Sequence, residues 1–416
     1  MEKIVIEGGR KLSGSVKIAP AKNACLPIIA SAIATRGNVV LANAPKISDV
    51  VVMAEIIGDL GGKFEFNDDG LLLGTDDIKS FVGNGQFYGR VRASLFTAGA
   101  LLTRFRKAYI PYPGGCNIGN RPIDIHIDGL RALGVVADCA EDGVYFDGND
   151  MHAGVVRLRY PSVGATVNII CAALCLDGET IEEGGACEPE ITDMCVFLKK
   201  CGYKINMHNG TIRIIGIKDV PQVDFSHKPV CDRIEAGTFM LACVACGGEI
   251  ALEFDCGERV KAVIDAINKT GARAYFYNGE ICVRCENRPK SVDVVADVYP
   301  SFPTDLQPQF CAAMTVADGC SIVTDKVFQG RFCYSEMLNR FGAKTQVENG
   351  HLKINGVERL KSASVEASDL RGGAALCIAA MAAEGKSVIN RSDTICRGYE
   401  DLCEKINLLG GCAKEI

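Results

Sequence analysis

The sequence predicts an α/β protein of two domains, each built from three copies of one repeated unit. Three observations predict it. An amphipathic helix ending in glycine recurs six times, as VVMAEIIGDLGGKF, IHIDGLRALGVVA, DMCVFLKKCGYKI, VKAVIDAINKTGARA, SEMLNRFGAKT and DLCEKINLLGGCA. Its glycines, Gly61, Gly134, Gly202, Gly271, Gly342 and Gly410, stand 73, 68, 69, 71 and 68 residues apart. A second helix, apolar nearly all round, recurs beside it, and stretches that alternate like strands follow the glycines.

Each glycine suits the left-handed position that ends a helix. The segments KFEFN, YKINM, RAYFY and KTQVE that follow read as half-buried strands. The second helix reads AKNACLPIIASAIATRG, GRVRASLFTAGALLTRF, SVGATVNIICAALCLDG, DRIEAGTFMLACVACGG, TDLQPQFCAAMTVADG and SDLRGGAALCIAAMAAEG. A helix without a polar face is a buried one, so the pattern predicts these helices at the centre and sheets outside them. At 416 residues the chain is long for one core, and the divide falls near SHKPVCDRIEAG, after the third copy. Residues 22–230 then form the first three-repeat domain, and 1–21 with 231–416 the second. A six-unit scaffold without catalysis fits the repeat equally well.

Composition narrows the function. Hydrophobic residues make up 48% and charged residues 23% of the chain, and tryptophan is absent. A net charge of -6 argues against a nucleic-acid surface but leaves room for a local basic pocket. The 21 cysteines are scattered through helical runs, and MEKIVIEGGR carries no apolar signal segment, so they read as reduced cytoplasmic thiols. Cys243 and Cys246 form a C-x-x-C inside an apolar helix without a second ligand pair, which reads as core packing and not a metal site. His126, His152, His208, His227 and His351 show no metal-ligand spacing. The longest apolar runs fall short of the ~20 residues that a membrane span needs.

Polar residues at the starts of the apolar helices are conspicuous: Lys22 and Asn23, Ser162, Asp232 and Arg233, Asp305, and Asp369 with Arg371. Capping explains Ser and Asp there. Several helix starts meeting at one place would also form an anion site. Lys22 is not explained by capping, because a cation at a helix N-terminus is unfavourable, and it invites an anionic ligand. Arg121 and Arg397 add to that reading; Arg397 precedes an amphipathic helix instead of closing one. Neither a Walker loop nor a convincing dinucleotide fingerprint is present. Any phosphate would be held by side-chain cations and helix ends.

Cys116 stands in YPGGCNIGNRPIDIH, between paired glycines and Arg121. Packing filler, nucleophile and proton donor are all open to it. Hydrolytic chemistry would want a histidine partner, and His126 lies ten residues on. An unperturbed thiol, with a pKa near ~8.5, is protonated at neutral pH and can donate.

The segments AKNACLP, RAS, PGGCNIGNRPIDIH, SVGAT, CEPEITD, DRIEAGTF, FPTDLQPQF, SDLRGGAAL and ICRGYE, in this order along the whole chain, resemble the UDP-N-acetylglucosamine enolpyruvyl transferases. The resemblance implies an inside-out α/β barrel, the EPSP synthase-like fold, with two domains of three βαβαββ repeats and the active site in the cleft between them. It implies addition of the sugar 3-hydroxyl to C2 of phosphoenolpyruvate, protonation of C3, and loss of phosphate, the first committed step of peptidoglycan synthesis. It implies no cofactor and no metal. The partners would be the two small substrates, with no nucleic acid, no membrane, and a monomer or weak oligomer.

By the same resemblance Lys22, Arg121 and Arg397 would hold phosphoenolpyruvate, with Arg92 near them. Asn23, Arg92, Arg121, Pro122, Ile123, Asp124, Ser162, Val163, Gly164, Asp305 and Val327 would line the UDP-sugar site. Asp305 would take the hydroxyl proton, and Cys116 would be the general acid at C3 and the target of the epoxide fosfomycin. Asp232, Asp369, Arg371 and Arg331 would support them. FQGRFCYSEM departs from the family pattern F-E-N-R-F-M-H at Gln329, Gly330, Cys333 and Tyr334, and Tyr160 stands where some members have lysine. The rival readings are transfer to shikimate 3-phosphate, whose enzyme lacks this cysteine loop, and transfer to another nucleotide sugar.

Overall fold

The structure, a computed structural model, describes residues 2–114 and 123–416. It divides into two compact units. One comprises residues 20–114 and 123–230, here the inner unit; the other comprises 2–19 and 231–416, here the terminal unit. Cys116, Arg121 and Pro122 lie outside the described residues.

Each unit has three apolar helices and three sheets. In the inner unit the helices are Lys22–Ala32, Thr97–Phe105 and Val163–Ala173. In the terminal unit they are Arg233–Cys246, Gln307–Met314 and Leu370–Ala382. All six are buried along most of their length, as residues apolar on every side require. Small residues let them approach closely. A Cβ built at Gly99 would stand 2.1 Å from the Asn168 carbonyl oxygen, so the second and third inner helices touch backbone to backbone.

The repeat is βαβαββ, and its sheet order follows from its chain order. In the fourth copy, strand Leu12–Lys17 pairs in parallel with Gly248–Glu253, the strand that follows the buried helix. Glu280–Cys285 then pairs antiparallel with Gly248–Glu253, and Arg273–Tyr277 with Glu280–Cys285. The same order recurs around Arg36–Ala42, Glu179–Glu183, Cys320–Asp325 and Gly385–Asn390. Tyr277, Asn278, Gly279 and Glu280 form a tight hairpin, with φ of 50° at Asn278 and 83° at Gly279, as an Asn-Gly turn with two left-handed positions requires.

Two copies depart from the simple count. The sixth is completed by the chain's own start: strand Lys3–Gly8 pairs with both Gly385–Asn390 and Ala413–Glu415. The second has a three-stranded sheet, Lys107–Pro111, Gly143–Asp147 and Val136–Cys139, and its parallel edge shrinks to a single bridge between Val82 and Tyr109. All six helix-ending glycines are left-handed, with φ from 79° at Gly410 to 102° at Gly61. No helix among the described residues is long and apolar enough to cross a membrane.

Candidate active site

The helix starts fall into two kinds. Ser162 and the two aspartates cap. Ser162 Oγ accepts from Ala165 N, Asp232 Oδ1 from Ile234 N and Glu235 N, and Asp369 Oδ1 from Arg371 N and Gly372 N. Lys22 and Asp305 do not cap, and both carry their charge into side-chain pairs.

In the terminal unit Asp305 lies in a short 3-10 turn, Thr304–Leu306, that leads into the helix Gln307–Met314. Two guanidinium groups partner its carboxylate. Arg371 donates from Nε at 3.3 Å and Nη2 at 3.1 Å to Asp305 Oδ2, and Arg331 Nη1 donates to Oδ1 at 3.1 Å. Arg331 also reaches Asp369, at 3.5 Å. Both arginines are buried, while the Asp305 side chain retains 28% exposure, so the carboxylate is the accessible member of the cluster. Burial opposes the charge of Arg331, but Asp305 and Asp369 outweigh it and raise its pKa.

Asp325 joins this cluster to Val327, a link that sequence reading missed. Its Oδ2 accepts from Thr304 Oγ1 at 2.6 Å, and its Oδ1 from the backbone N–H groups of Val327 and Phe328 at 2.9 Å. The turn carrying Asp305 and the loop carrying Val327 are therefore fixed to one buried carboxylate. Gln329, Gly330 and Cys333 are exposed on that loop, whereas Tyr334 is fully buried and its hydroxyl accepts from Gln307 Nε2 at 2.6 Å. Arg397 caps the C-terminus of a short helix, Ser392–Cys396, that the sequence reading did not foresee. It closes one helix as well as preceding another.

In the inner unit Lys22 opens its helix without a side-chain cap and pairs with Asp49 at 3.1 Å, both side chains being 8% exposed. Asn23 beside it is half-buried. Arg92 opens the 3-10 turn Arg92–Phe96, which packs on the Lys22 helix. Ile123 and Asp124 start the helix Asp124–Arg131, where the Asp124 carboxylate pairs with Arg159. A Cβ on Gly164 would fall 2.5 Å from the His126 ring and 2.9 Å from Phe96. That contact brings the Arg92 turn, the Asp124 helix and the Ser162–Val163–Gly164 helix start together. Tyr160, two residues before Ser162, is exposed.

Cys243, in the core, and Cys246, half-buried, close the helix Arg233–Cys246; burial pushes both thiols up, Cys243 to about 12. Among the described residues no group of three His, Cys, Asp or Glu side chains could hold a metal.

Units of repeated βαβαββ elements with helices inside and sheets outside are the fold of the carboxyvinyl transferases that this chain matches. The chain is a member of the EPSP synthase family: the family described as EPSP synthase (3-phosphoshikimate 1-carboxyvinyltransferase) matches residues 6–406. Within it, the chain is 41% identical over 419 residues to UDP-N-acetylglucosamine 1-carboxyvinyltransferase 2 of Carboxydothermus hydrogenoformans, covering 100% of both chains. It is 38% identical over 427 residues to the UDP-N-acetylglucosamine 1-carboxyvinyltransferase of a Wolbachia species, covering 99% of this chain and 98% of that one. The enolpyruvyl transferase NikO of Streptomyces tendae shares the fold with a TM-score of 0.88 at 21% identity, over 100% of this chain and 98% of that one. EPSP synthase of Acinetobacter baumannii does so with a TM-score of 0.74 at 16% identity, over 100% of both.

Proposed function

We propose that the protein transfers the enolpyruvyl group of phosphoenolpyruvate to the 3-hydroxyl of UDP-N-acetylglucosamine and releases phosphate, the first committed step of peptidoglycan synthesis, in the cytoplasm. The full-length identity to two enzymes named for that transfer carries the reading over shikimate 3-phosphate as acceptor. The Asp305 cluster supplies a chemical basis for it.

The reaction is an addition followed by an elimination. In the addition the sugar oxygen bonds to C2, the π electrons of C2=C3 take a proton at C3, and the hydroxyl proton leaves. In the elimination C3 gives up a proton, the double bond re-forms, and the C2–O bond to phosphate breaks. Cys116 is the proton donor at C3 and Asp305 the acceptor of the hydroxyl proton. Two guanidiniums on Asp305 stabilise its carboxylate and make it a weak base, so its help comes late, once bonding to C2 has acidified the attacking hydroxyl.

Lys22, Arg121 and Arg397, with Arg92 nearby, hold the phosphate and carboxylate of the donor. Asn23, Ile123, Asp124, Ser162 to Gly164 and Val327 receive the UDP-sugar with Arg121 and Pro122. Asp232, Asp369, Arg371 and Arg331 act through the helix caps and ion pairs described above. Phosphate release from phosphoenolpyruvate should require UDP-N-acetylglucosamine and not respond to shikimate 3-phosphate. Release with shikimate 3-phosphate alone would transfer the chain to the other acceptor.

A further inference from the structure

The arginine that grips Asp305 is itself held. The Arg371 guanidinium lies over the Tyr399 ring, 5.3 Å from its centroid. Tyr399 is 2% exposed, and its hydroxyl sits between Gln309 Nε2 and Thr238 Oγ1, each at 2.9 Å. The Thr238 hydroxyl donates to the Ile234 carbonyl at 2.7 Å. With that proton spent, Tyr399 donates to Thr238 and accepts from Gln309. Burial pushes the phenol pKa up, which keeps the donor in place.

These contacts close a ring. Gln309 is four residues after Asp305 on the same segment. The path runs from Asp305 along the chain to Gln309, by hydrogen bond to Tyr399, across the ring face to Arg371, and by two hydrogen bonds back to Asp305. Thr238, Gln309 and Arg371 belong to the three buried helices of the terminal unit, so Tyr399 touches all three. It is also two residues from Arg397. A fully desolvated cation over an aromatic face gains more than an exposed one does, and the ring fixes the plane in which the guanidinium can meet a carboxylate.

We propose that Tyr399 is a positioning residue for the transfer: it sets the Arg371 guanidinium, and through it the Asp305 carboxylate, and ties both to the segment that carries Arg397. The proposal rests on the reading of Asp305 as proton acceptor. Tyr399→Phe keeps the ring and removes the hydrogen bonds; Tyr399→Leu removes both. In the phosphate-release assay Tyr399→Phe should lower kcat about tenfold with KM for UDP-N-acetylglucosamine within about twofold. The acidic limb of its kcat–pH profile should move to higher pH, because a carboxylate less closely met by its cation is easier to protonate. Tyr399→Leu should lose about a hundredfold in kcat.

A Tyr399→Phe protein with lowered melting temperature but unchanged kcat and unchanged acidic limb overturns the proposal and leaves Tyr399 a packing residue. Should Tyr399→Leu fail to fold, Tyr399→Phe decides alone. Asp305→Asn in the same assay separates the two claims: full turnover there removes the base reading itself. An inactive Asp305→Asn beside a normal Tyr399→Phe removes only the role of Tyr399.

Discussion

Arg371 meets Asp305 with two of its nitrogens on one oxygen, Nε at 3.3 Å and Nη2 at 3.1 Å from Oδ2, while Arg331 holds the other oxygen. Those three bonds fix the orientation of the Asp305 carboxylate, which keeps 28% exposure. Arg371→Lys keeps the charge but not the fork, so it should lower kcat about a hundredfold while the melting temperature falls only a few degrees. Steady-state phosphate release and a thermal melt check both.

Fosfomycin should alkylate Cys116 and leave the exposed thiols Cys139, Cys320 and Cys333 unmodified. Burial raises the pKa of Cys171, Cys195, Cys201, Cys311 and Cys377, which removes them as competitors. Peptide mapping after treatment reads the site. Cys116→Ser should reduce turnover by about a thousandfold, and Cys116→Asp should retain a measurable share, since a carboxylic acid also donates a proton.

Glu182 offers a test of stability away from the site. Burial pushes its carboxyl from 4.5 up to about 8, against the opposing hydrogen bond from Thr166. Between those two pH values the folded chain binds a proton that the unfolded chain does not, so stability should fall as pH rises through that window, by about 1 kcal/mol per unit. Glu182→Gln cannot ionise, and its urea midpoint should lose that slope. Equal slopes in both proteins would show that Glu182 is ionised in the folded state.

Gly99→Ala probes the contact between buried helices. Its Cβ would sit 2.1 Å from the Asn168 carbonyl oxygen, a backbone atom that cannot turn away, so unfolding free energy should drop by ~3 kcal/mol or more in urea titrations.

The repeat was legible because it is local. Helix periodicity, the glycine that ends each amphipathic helix, and the caps at Ser162, Asp232 and Asp369 are all set within a few residues of sequence. The N-terminal strand Lys3–Gly8 was not, since its place in the sixth sheet depends on partners at the far end of the chain. Asp305 was legible as a charged helix start, but its partners stand 26 and 66 residues on, and no spacing rule connects them. The same holds for Asp325, which looks in sequence like an ordinary aspartate at the end of a strand and in the fold ties Thr304 to Val327. The helix that Arg397 closes, Ser392–Cys396, has 5 residues, too few to leave a periodic signal in the sequence.

The most direct test of the central claim is to identify the products by proton and phosphorus NMR. The enzyme is incubated with phosphoenolpyruvate and UDP-N-acetylglucosamine in deuterium oxide. The expected result is equal loss of both substrates, one inorganic phosphate per vinyl ether formed at the 3-oxygen of the sugar, and deuterium at C3 of the transferred group. Deuterium enters there because C3 passes through a methyl stage. Unchanged UDP-N-acetylglucosamine under conditions where shikimate 3-phosphate is consumed, or a vinyl ether free of deuterium at C3, would contradict it.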